Sequence, residues 1–270
     1  MKLAWLTDIH LNFLQSPQRR QFLEKVKEAA DAVALSGDIG ESVDVAQYLS
    51  EMADVIENPI YFVLGNHDFY RDSIAGTRRR IAKLAEETEH LHYLTSLGVV
   101  ALTKKTAIVG HDGWADGRLG DYDGTQVILS DHSLIQEIAS SYRYFHLDKY
   151  RLKATMTALA DEAAHQFEQV LEEAAAKYEE IIAVTHVPPF REAAWHEGKT
   201  SSDDYLPHFA CKVVGDVMRK VMLSHPQVRL LVLCGHTHSG GHIQAATNID
   251  VLTGEARYGH PVVQRVLQVV

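Results

Sequence analysis

Cysteine, positive charge and long apolar runs are all scarce in this chain of 270 residues. Its two cysteines, Cys211 and Cys234, are too few for a disulfide framework, so we expect two ordinary core thiols and a reducing compartment, the cytoplasm. Lysine and arginine together number 26 against 36 acidic residues, a formal net charge of −10. This balance excludes a broad basic surface for nucleic acid and leaves any bound phosphate to a local positive source such as metal ions.

No apolar run approaches the roughly 18 residues that would suggest a membrane span. The first run is stopped early by Asp8, so the N-terminus lacks the long apolar segment of a secretory signal. Repeats, low-complexity tracts and linkers rich in proline, glycine or serine are also missing. We therefore predict one soluble domain over 1–270 with no membrane partner.

What the chain does contain is a set of six short apolar runs, each followed at once by acidic, amide or imidazole side chains. The runs are LAWLTDIH, AVALSGDIG, IYFVLGNHD, TAIVGHDGW, IIAVTHVPP and LLVLCGHTH. Helix-like stretches at 17–31, 42–57 and 72–88 lie between the first of them. Alternating strands and helices predict an α/β fold with a largely parallel sheet, and such sheets bind ligands at the carboxyl ends of their strands.

The pattern changes after the fourth run. Residues 112–180 read as a helical insertion with helices near 130–145 and 148–178, and the apolar stripe of the second is expected to pack on the domain itself. The loops at 111–124 and 187–210 are predicted to lie near the site and to select the substrate. Strand candidates at 242–246, 248–252 and 262–269 are expected to form a second sheet.

The residues after five of the runs make up a ligand set for a site with two metals. Each motif alone is a weak signal, because Asp-x-His or Gly-Asp also occurs in ordinary turns, and a lone histidine is often a core residue. Five motifs at the ends of separate strands together favour a metal centre. A mixture of imidazole, carboxylate and amide oxygen suits Mn, Fe, Zn or Co better than Ca or Mg. The candidate ligands are Asp8, His10, Asp38, Asn66, His186, His236 and His238.

The motif order, which is Asp-x-His, Gly-Asp, Gly-Asn-His-Asp, His and Gly-His-x-His over residues 8–238, resembles that of the calcineurin-like metallophosphoesterases. The resemblance implies a four-layer α/β/β/α sandwich of mixed sheets flanked by helices, with a dinuclear site at one sheet edge. It implies one metal held by Asp8, His10, Asp38 and His238. It implies a second metal held by Asp38, Asn66, His186 and His236. We therefore expect two divalent or mixed-valence transition-metal ions per chain, with Mn or Fe favoured over Zn or Co.

By the same resemblance, His67 matches the family's catalytic histidine, which protonates the leaving oxygen while a metal-bridging hydroxide attacks phosphorus in line. An unperturbed imidazole pKa of about 6.5 would suit that role near neutral pH. Glu41 occupies the position of an acid that pairs with the catalytic histidine in the protein-phosphatase branch. It is therefore expected to orient His67, the alternative being a solvent-facing acid at a helix start.

Departures from the protein-phosphatase branch bear on the substrate. GDIGES lacks the arginine of Gly-Asp-x-x-Asp-Arg-Gly, and GNHD replaces Gly-Asn-His-Glu. Because GNHD is more typical of the family's phosphodiesterases and nucleases, the resemblance implies a phosphodiesterase, which we expect to act on a small phosphate ester. A phosphomonoesterase, a pyrophosphatase or a nuclease using the same site is the alternative, with nucleic acid a less favoured partner because of the acidic balance. A non-enzymatic scaffold is disfavoured, since no ligand has been lost; the oligomeric state is left open.

Overall fold

The computed structural model describes residues 1–143 and 146–270. The strands are β1 (Lys2–Leu6), β2 (Ala32–Ser36), β3 (Ile60–Val63), β4 (Leu91–Tyr93), β5 (Val100–Ala101), β6 (Thr106–Gly110), β7 (Tyr142–Arg143), β8 (His146–Leu147), β9 (Glu180–Val184), β10 (Trp195–His196), β11 (Lys199–Thr200), β12 (Arg229–Cys234), β13 (Gly241–Ala246), β14 (Ile249–Thr253) and β15 (Arg265–Gln268). The α-helices are α1 (Ser16–Ala29), α2 (Val45–Ile56), α3 (Ile74–Glu87), α4 (Asp131–Leu134), α5 (Gln136–Ala139), α6 (Lys149–Ala175), α7 (Leu206–Phe209) and α8 (Lys212–Ser224).

Most strands belong to two mixed sheets. The first has the order β15-β1-β2-β3-β4, in which β1 to β4 are parallel and β15 runs antiparallel to β1. The second has the order β13-β14-β12-β9-β6-β5, with β14, β12, β9 and β6 parallel and an antiparallel strand at each edge. Every residue of β2 and β6 is buried, as expected for parallel strands covered on both faces.

The two sheets face each other across an apolar layer. Trp5, Tyr61, Val184, Leu233 and Leu252 belong to this inter-sheet cluster. Because the buried indole of Trp5 needs a partner, its Nε1 donates to Ser36 Oγ at 3.1 Å. The packing sets the carboxyl ends of β1, β2, β3, β9 and β12 side by side.

Helices cover the outer faces of both sheets, so the predicted α/β/β/α class is confirmed. In the first sheet's layer, α1 contacts β1 and α2, and α3 contacts α2 and β4. In the second, α6 contacts β6, β9 and α8. The apolar stripe of α6, which includes Leu152, Met156 and Phe167, is buried against the domain, as predicted.

Two expectations for the connecting segments are wrong. The helix predicted near 130–145 breaks into α4 and α5, and the chain then enters the hairpin β7–β8; residues 144–145 lie outside the described part. Serine hydroxyls that bond to nearby carbonyls weaken a helix there, since Ser133 Oγ donates to Ser130 O and Ser140 Oγ to Glu137 O. The tail strands do not all lie in one sheet: β13 and β14 belong to the second sheet, as expected, whereas β15 extends the first.

None of the helices in the described part of the chain combines the length and the apolar composition that crossing a bilayer requires. Cys211 and Cys234 are free and buried, as expected for core thiols. Burial raises the pKa of the Cys234 thiol to about 12, so this side chain stays protonated at neutral pH.

Candidate metal centre

The loops after five parallel strands bring all seven candidate ligands together. Asp8 and His10 follow β1, and Asp38 follows β2. The remaining ligands follow strands of both sheets, so the site lies at the rim shared by the two sheets. These ligands are Asn66 after β3, His186 after β9, and His236 and His238 after β12.

A first cluster is formed by Asp8, His10, Asp38 and His238. His10 Nε2 lies 3.3 Å from His238 Nε2 and 3.7 Å from Asp38 Oδ2. His238 Nε2 lies 3.3 Å from Asp8 Oδ1. One ligand atom from each of the four side chains falls within 4.8 Å of the others, a grouping that fits one metal ion.

A second cluster lies on the other side of the Asp38 carboxylate. Asp38 Oδ1 lies 3.5 Å from His186 Nε2, which in turn lies 2.9 Å from Asn66 Oδ1. His236 Nδ1 lies 2.9 Å from the same amide oxygen and 3.3 Å from His186 Nε2. Since each oxygen of Asp38 faces a different cluster, this carboxylate stands between them.

In the second cluster, the ring nitrogens that point away from the site donate hydrogen bonds, which leaves the inward nitrogens unprotonated. His186 Nδ1 donates to Ser36 O at 2.8 Å, so the Nε2 of the neutral ring carries no proton. His236 Nε2 donates to His208 O at 3.0 Å, which likewise leaves Nδ1 bare. The Asn66 amide points its oxygen inward because its Nδ2 donates to Asp131 Oδ1 at 2.9 Å. Three acceptors thus converge with no proton between them, an arrangement that a cation stabilises.

Left-handed backbone conformations shape the loops around the site. Five of the seven candidate ligands have positive φ, an unfavourable conformation for residues with a Cβ that is tolerated mainly at functional sites. They are Asp8 (47°), His10 (39°), Asp38 (54°), His236 (72°) and His238 (57°). The GHTH segment is therefore not extended, and its two histidines do not lie on the same side of it. The left-handed turns instead place His236 in the second cluster and His238 in the first.

Glycines let the carboxylates approach the backbone of neighbouring loops. A Cβ on Gly65 would lie 2.1 Å from Asp38 Oδ1, and a Cβ on Gly235 would lie 2.0 Å from Asp8 Oδ2. Both distances are far below van der Waals contact, so any larger residue would displace a candidate ligand. The close approach of the two carboxylates thus explains why glycine stands at the start of the GNHD and GHTH motifs.

Burial without compensating charge perturbs the titration of the cluster. Burial, together with the nearby Asp8, raises the pKa of Asp38 well above its usual range. Burial lowers the pKa of His10 to about 3 and that of His236 to about 4. For Asp8 the effect of burial is outweighed by the hydrogen bond to His238 and by nearby histidines, which lower the pKa below its usual range. Bound cations would keep the carboxylates ionised and the imidazoles neutral.

His67 lies beside the first cluster. Its ring stacks on Tyr70 with the centroids 4.3 Å apart, and its Nε2 lies 4.0 Å from Asp38 Oδ2. About a fifth of the side chain, 19%, remains exposed, against 1% for His10. Burial lowers the pKa of His67 to about 4, a shift opposed by the charge of Asp131. The imidazole is therefore neutral at neutral pH, not poised near 6.5.

Glu41 does not have the expected orienting role. Its Oε2 accepts from Arg71 Nη1 at 2.5 Å, and no hydrogen bond joins it to His67 among the described residues. The ring beneath His67 is that of Tyr70, whose hydroxyl donates to Asp131 Oδ1 at 2.7 Å. The acid that holds the tyrosine beneath His67 is therefore Asp131 from α4, which no motif marked.

Asp68, the last residue of GNHD, is a second acid whose role the sequence did not reveal. It is fully buried and accepts from Ile39 N and Gly40 N at 2.9 Å and from Gly65 N at 2.8 Å. Because these donors lie in the loops after β2 and β3, the carboxylate ties the two loops together. Its position next to a histidine in a polar motif was the only available signal.

The fourth apolar run ends in a buried network and not at the open cleft. Asp112 accepts from Leu64 N at 2.8 Å, from Tyr93 Oη at 2.7 Å and from Arg78 Nε at 2.8 Å. His111 is 1% exposed. The segment 187–210, in contrast, places His196 and Phe209 in the wall of the cleft above the two clusters.

Two facing mixed sheets with buried Asp and His ligands at their common rim define the class of metal-dependent phosphoesterases. The sequence profile of the calcineurin-like phosphoesterase family matches residues 1–240, and the chain belongs to this family. The resemblance read from the motifs is thereby confirmed. No curated protein sequence matches the chain significantly.

Solved structures share the fold at low sequence identity. A dimetal phosphatase from Danio rerio is similar with a TM-score of 0.58 and 15% identity, over 94% of this chain and 87% of that chain. A phosphopantetheinyl hydrolase from Mycobacterium tuberculosis is similar with a TM-score of 0.61 and 13% identity, over 95% of this chain and 89% of that chain. At such identities the likeness establishes the fold.

Proposed function

We propose that the protein is a dinuclear metal-dependent phosphodiesterase that hydrolyses small phosphate esters. The observation that carries the proposal is the convergence of carboxylate, imidazole and amide ligand atoms on both sides of Asp38. Such a ligand set, in which hydrogen bonds fix the tautomers of His186 and His236, suits transition metals such as Mn or Fe. A cytoplasmic location stays a prediction.

Each of the two clusters would hold one metal ion. One metal would be held by Asp8, His10, Asp38 and His238, and the other by Asp38, Asn66, His186 and His236. Two cations there would neutralise charge on the phosphoryl oxygens and acidify a water molecule that attacks phosphorus in line.

His67 would supply the proton for the leaving oxygen. Its exposed face borders the cleft, and stacking on Tyr70 holds its ring in place. An anionic phosphate beside the ring favours the protonated form, which would raise the pKa from about 4 when substrate binds. Asp131 acts in the same direction. Proton uptake by His67 would then accompany substrate binding.

A diester is favoured over a monoester or a pyrophosphate by the charge around the cleft. Among the described residues that line it, none is a lysine or an arginine, and Asp131 contributes a negative charge. A diester carries one negative charge at neutral pH, which the metals suffice to balance. Groups with more charge would need a cationic side chain that the lining does not supply.

The proposal is tested by comparing bis-p-nitrophenyl phosphate with p-nitrophenyl phosphate in the presence of Mn²⁺ or Fe²⁺. We expect the diester to be the better substrate by kcat/KM, and elemental analysis to find about two metal ions per chain. Asp38→Ala should lose both metal and activity, whereas Asp161→Ala, at an exposed acid on α6, should keep both. A metal-free wild-type protein that hydrolyses neither ester would refute the proposal.

A further inference from the structure

We propose that Tyr258, supported by the ring of Phe13, forms a stacking site for an aromatic group without negative charge that is esterified to the phosphate. This inference rests on the proposed phosphodiesterase function, because it assigns the part of the diester that the metals do not hold. Neither residue belongs to a motif of the metal centre.

The cleft above the two clusters has room for such a group. Its volume is about 280 Å³, near the lower end of the roughly 300–1,000 Å³ typical of small-molecule sites. Its lining includes the histidines His67, His236 and His238 and the aromatic residues Tyr258 and Phe209. A small ester fits these dimensions better than a polymer.

Tyr258 and Phe13 come from opposite ends of the chain. The ring of Tyr258 lines the cleft, and the ring of Phe13 packs on it. Their ring centroids lie 4.6 Å apart with an interplanar angle of 36°, and Tyr258 lies 4.6 Å from the ring of His10. Even so, Tyr258 is 44% exposed and Phe13 is 53% exposed. Large aromatic rings that are ordered by mutual contact yet left open to solvent are suited to stacking on a ligand.

The position of Tyr258 relative to the metal ligands matches the reach of an ester. Its ring centroid lies 5.2 Å from that of His238 and 6.3 Å from that of His67. A phosphate held by the first cluster would therefore have its substituent directly beside the tyrosine. Because a phosphodiester carries two substituents, one can stack while the other leaves.

Charge selects the kind of aromatic group. The described residues that line the cleft include no lysine or arginine, and Asp131 adds a carboxylate to the lining. An anionic substituent would be repelled there, and a neutral ring would not. The substrate class is thus a diester with an aromatic or heteroaromatic substituent that carries no negative charge.

The test uses two diesters with the same leaving group, phenyl p-nitrophenyl phosphate and methyl p-nitrophenyl phosphate, in the presence of Mn²⁺. The release of p-nitrophenol is common to both, so a difference in kcat/KM reports on the second substituent. We expect the phenyl ester to be favoured about tenfold, in line with stacking on an aromatic side chain. A 4-carboxyphenyl ester should lose most of that preference.

Substitutions at Tyr258 test whether this residue causes the preference for the phenyl ester. In Tyr258→Ala the ratio of the two kcat/KM values should fall to near one, and in Tyr258→Phe, which keeps the ring, it should be retained. Tyr150→Ala, at an 84% exposed tyrosine on α6, serves as a control that leaves the ratio unchanged. Equal hydrolysis of the two esters by the wild type, or a preference that survives Tyr258→Ala, would overturn the inference alone. Hydrolysis of neither ester would overturn the proposed function as well.

Discussion

His67 differs from the neighbouring histidines in what surrounds its ring. The candidate ligands have ring nitrogens that face other acceptors, whereas His67 stacks on Tyr70 and keeps 19% of its side chain exposed. Its replacement should therefore leave the metals in place. We predict that His67→Ala retains the wild-type metal content by elemental analysis and loses kcat by about 10²- to 10⁴-fold, the usual contribution of general acid catalysis.

A matched histidine controls for this variant. His165 is exposed on α6, where its Nε2 lies 3.1 Å from Gln169 Nε2, and His165→Ala should keep both metal and kcat. Loss of a metal ion in His67→Ala would instead make the imidazole a ligand. Retention of full activity would remove it from the mechanism.

The buried side chain of His111 makes the stability of the fold depend on pH. Burial lowers its pKa to about 4, against about 6.5 in an unfolded chain. Between these values the unfolded chain binds the proton and the folded chain does not. The free energy of unfolding is therefore highest above about pH 6.5 and decreases as the pH falls towards 4. From pH 7 to pH 5 this one group removes about 2 kcal/mol.

Urea denaturation of His111→Gln measures that contribution. The variant keeps a side chain that can accept from Gly113 N, as His111 Nδ1 does at 3.0 Å, but it does not titrate. The loss of unfolding free energy between pH 7 and pH 5 should be smaller than in the wild type by about 2 kcal/mol. Identical losses in the two proteins would show that His111 titrates normally.

Asp112 joins elements that belong to different layers. Its carboxylate accepts from the backbone after β3, from Tyr93 at the end of β4 and from Arg78 on α3, and its side chain is 1% exposed. Removal of its charge leaves the arginine without its buried partner. We predict that Asp112→Asn lowers the free energy of unfolding by about 3 kcal/mol or more, as is usual for a broken buried ion pair.

A second, exposed ion pair of Arg78 provides the control. Its Nη1 also pairs at 3.0 Å with Glu162, whose side chain is 57% exposed. Because solvent screens this second pair, Glu162→Gln should change the unfolding free energy by about 0.5 kcal/mol at most. Equal effects of the two substitutions in urea titrations would mean that burial does not distinguish the pairs.

The six strands of the apolar runs and the rim where they end could be predicted from the sequence, because buried parallel strands are largely apolar and the polar residues begin where they stop. The short strands β4 and β5 could not, since two or three residues carry no periodicity. Sheet membership of the tail also escaped prediction. It depends on which edge remains open after the parallel strands pair.

Within the site, the ligands followed from motifs and the supporting residues did not. Asp131 comes from a four-residue helix in a serine-rich segment, and Tyr258 comes from an irregular stretch near the C-terminus. Their roles depend on long-range contacts with Asn66 and His10. Nor does the spacing of GHTH indicate that its histidines separate, because the left-handed turns that separate them are set by the surrounding loops.

Assembly of the two sheets creates a centre that neither sheet holds alone. The first sheet supplies Asp8, His10, Asp38 and Asn66, and the second supplies His186, His236 and His238. Each cluster contains ligands from both sheets. The apolar layer between the sheets therefore sets the separation of the ligands, and metal binding should in turn hold the sheets together.

The net charge of the protein favours an enzyme that acts on small molecules over a nuclease. With a formal net charge of −10, the surface gives no general attraction to a polyanion. Enzymes that track nucleic acid lose about 10³- to 10⁵-fold in affinity between roughly 50 and 200 mM salt, because cationic side chains displace counterions. We predict that kcat/KM for bis-p-nitrophenyl phosphate changes less than about threefold over that range, and that single-stranded DNA is cleaved more slowly at both concentrations. Faster cleavage of DNA that decreases steeply with salt, measured with equal metal loading, would instead identify the cleft as part of a nucleic-acid site.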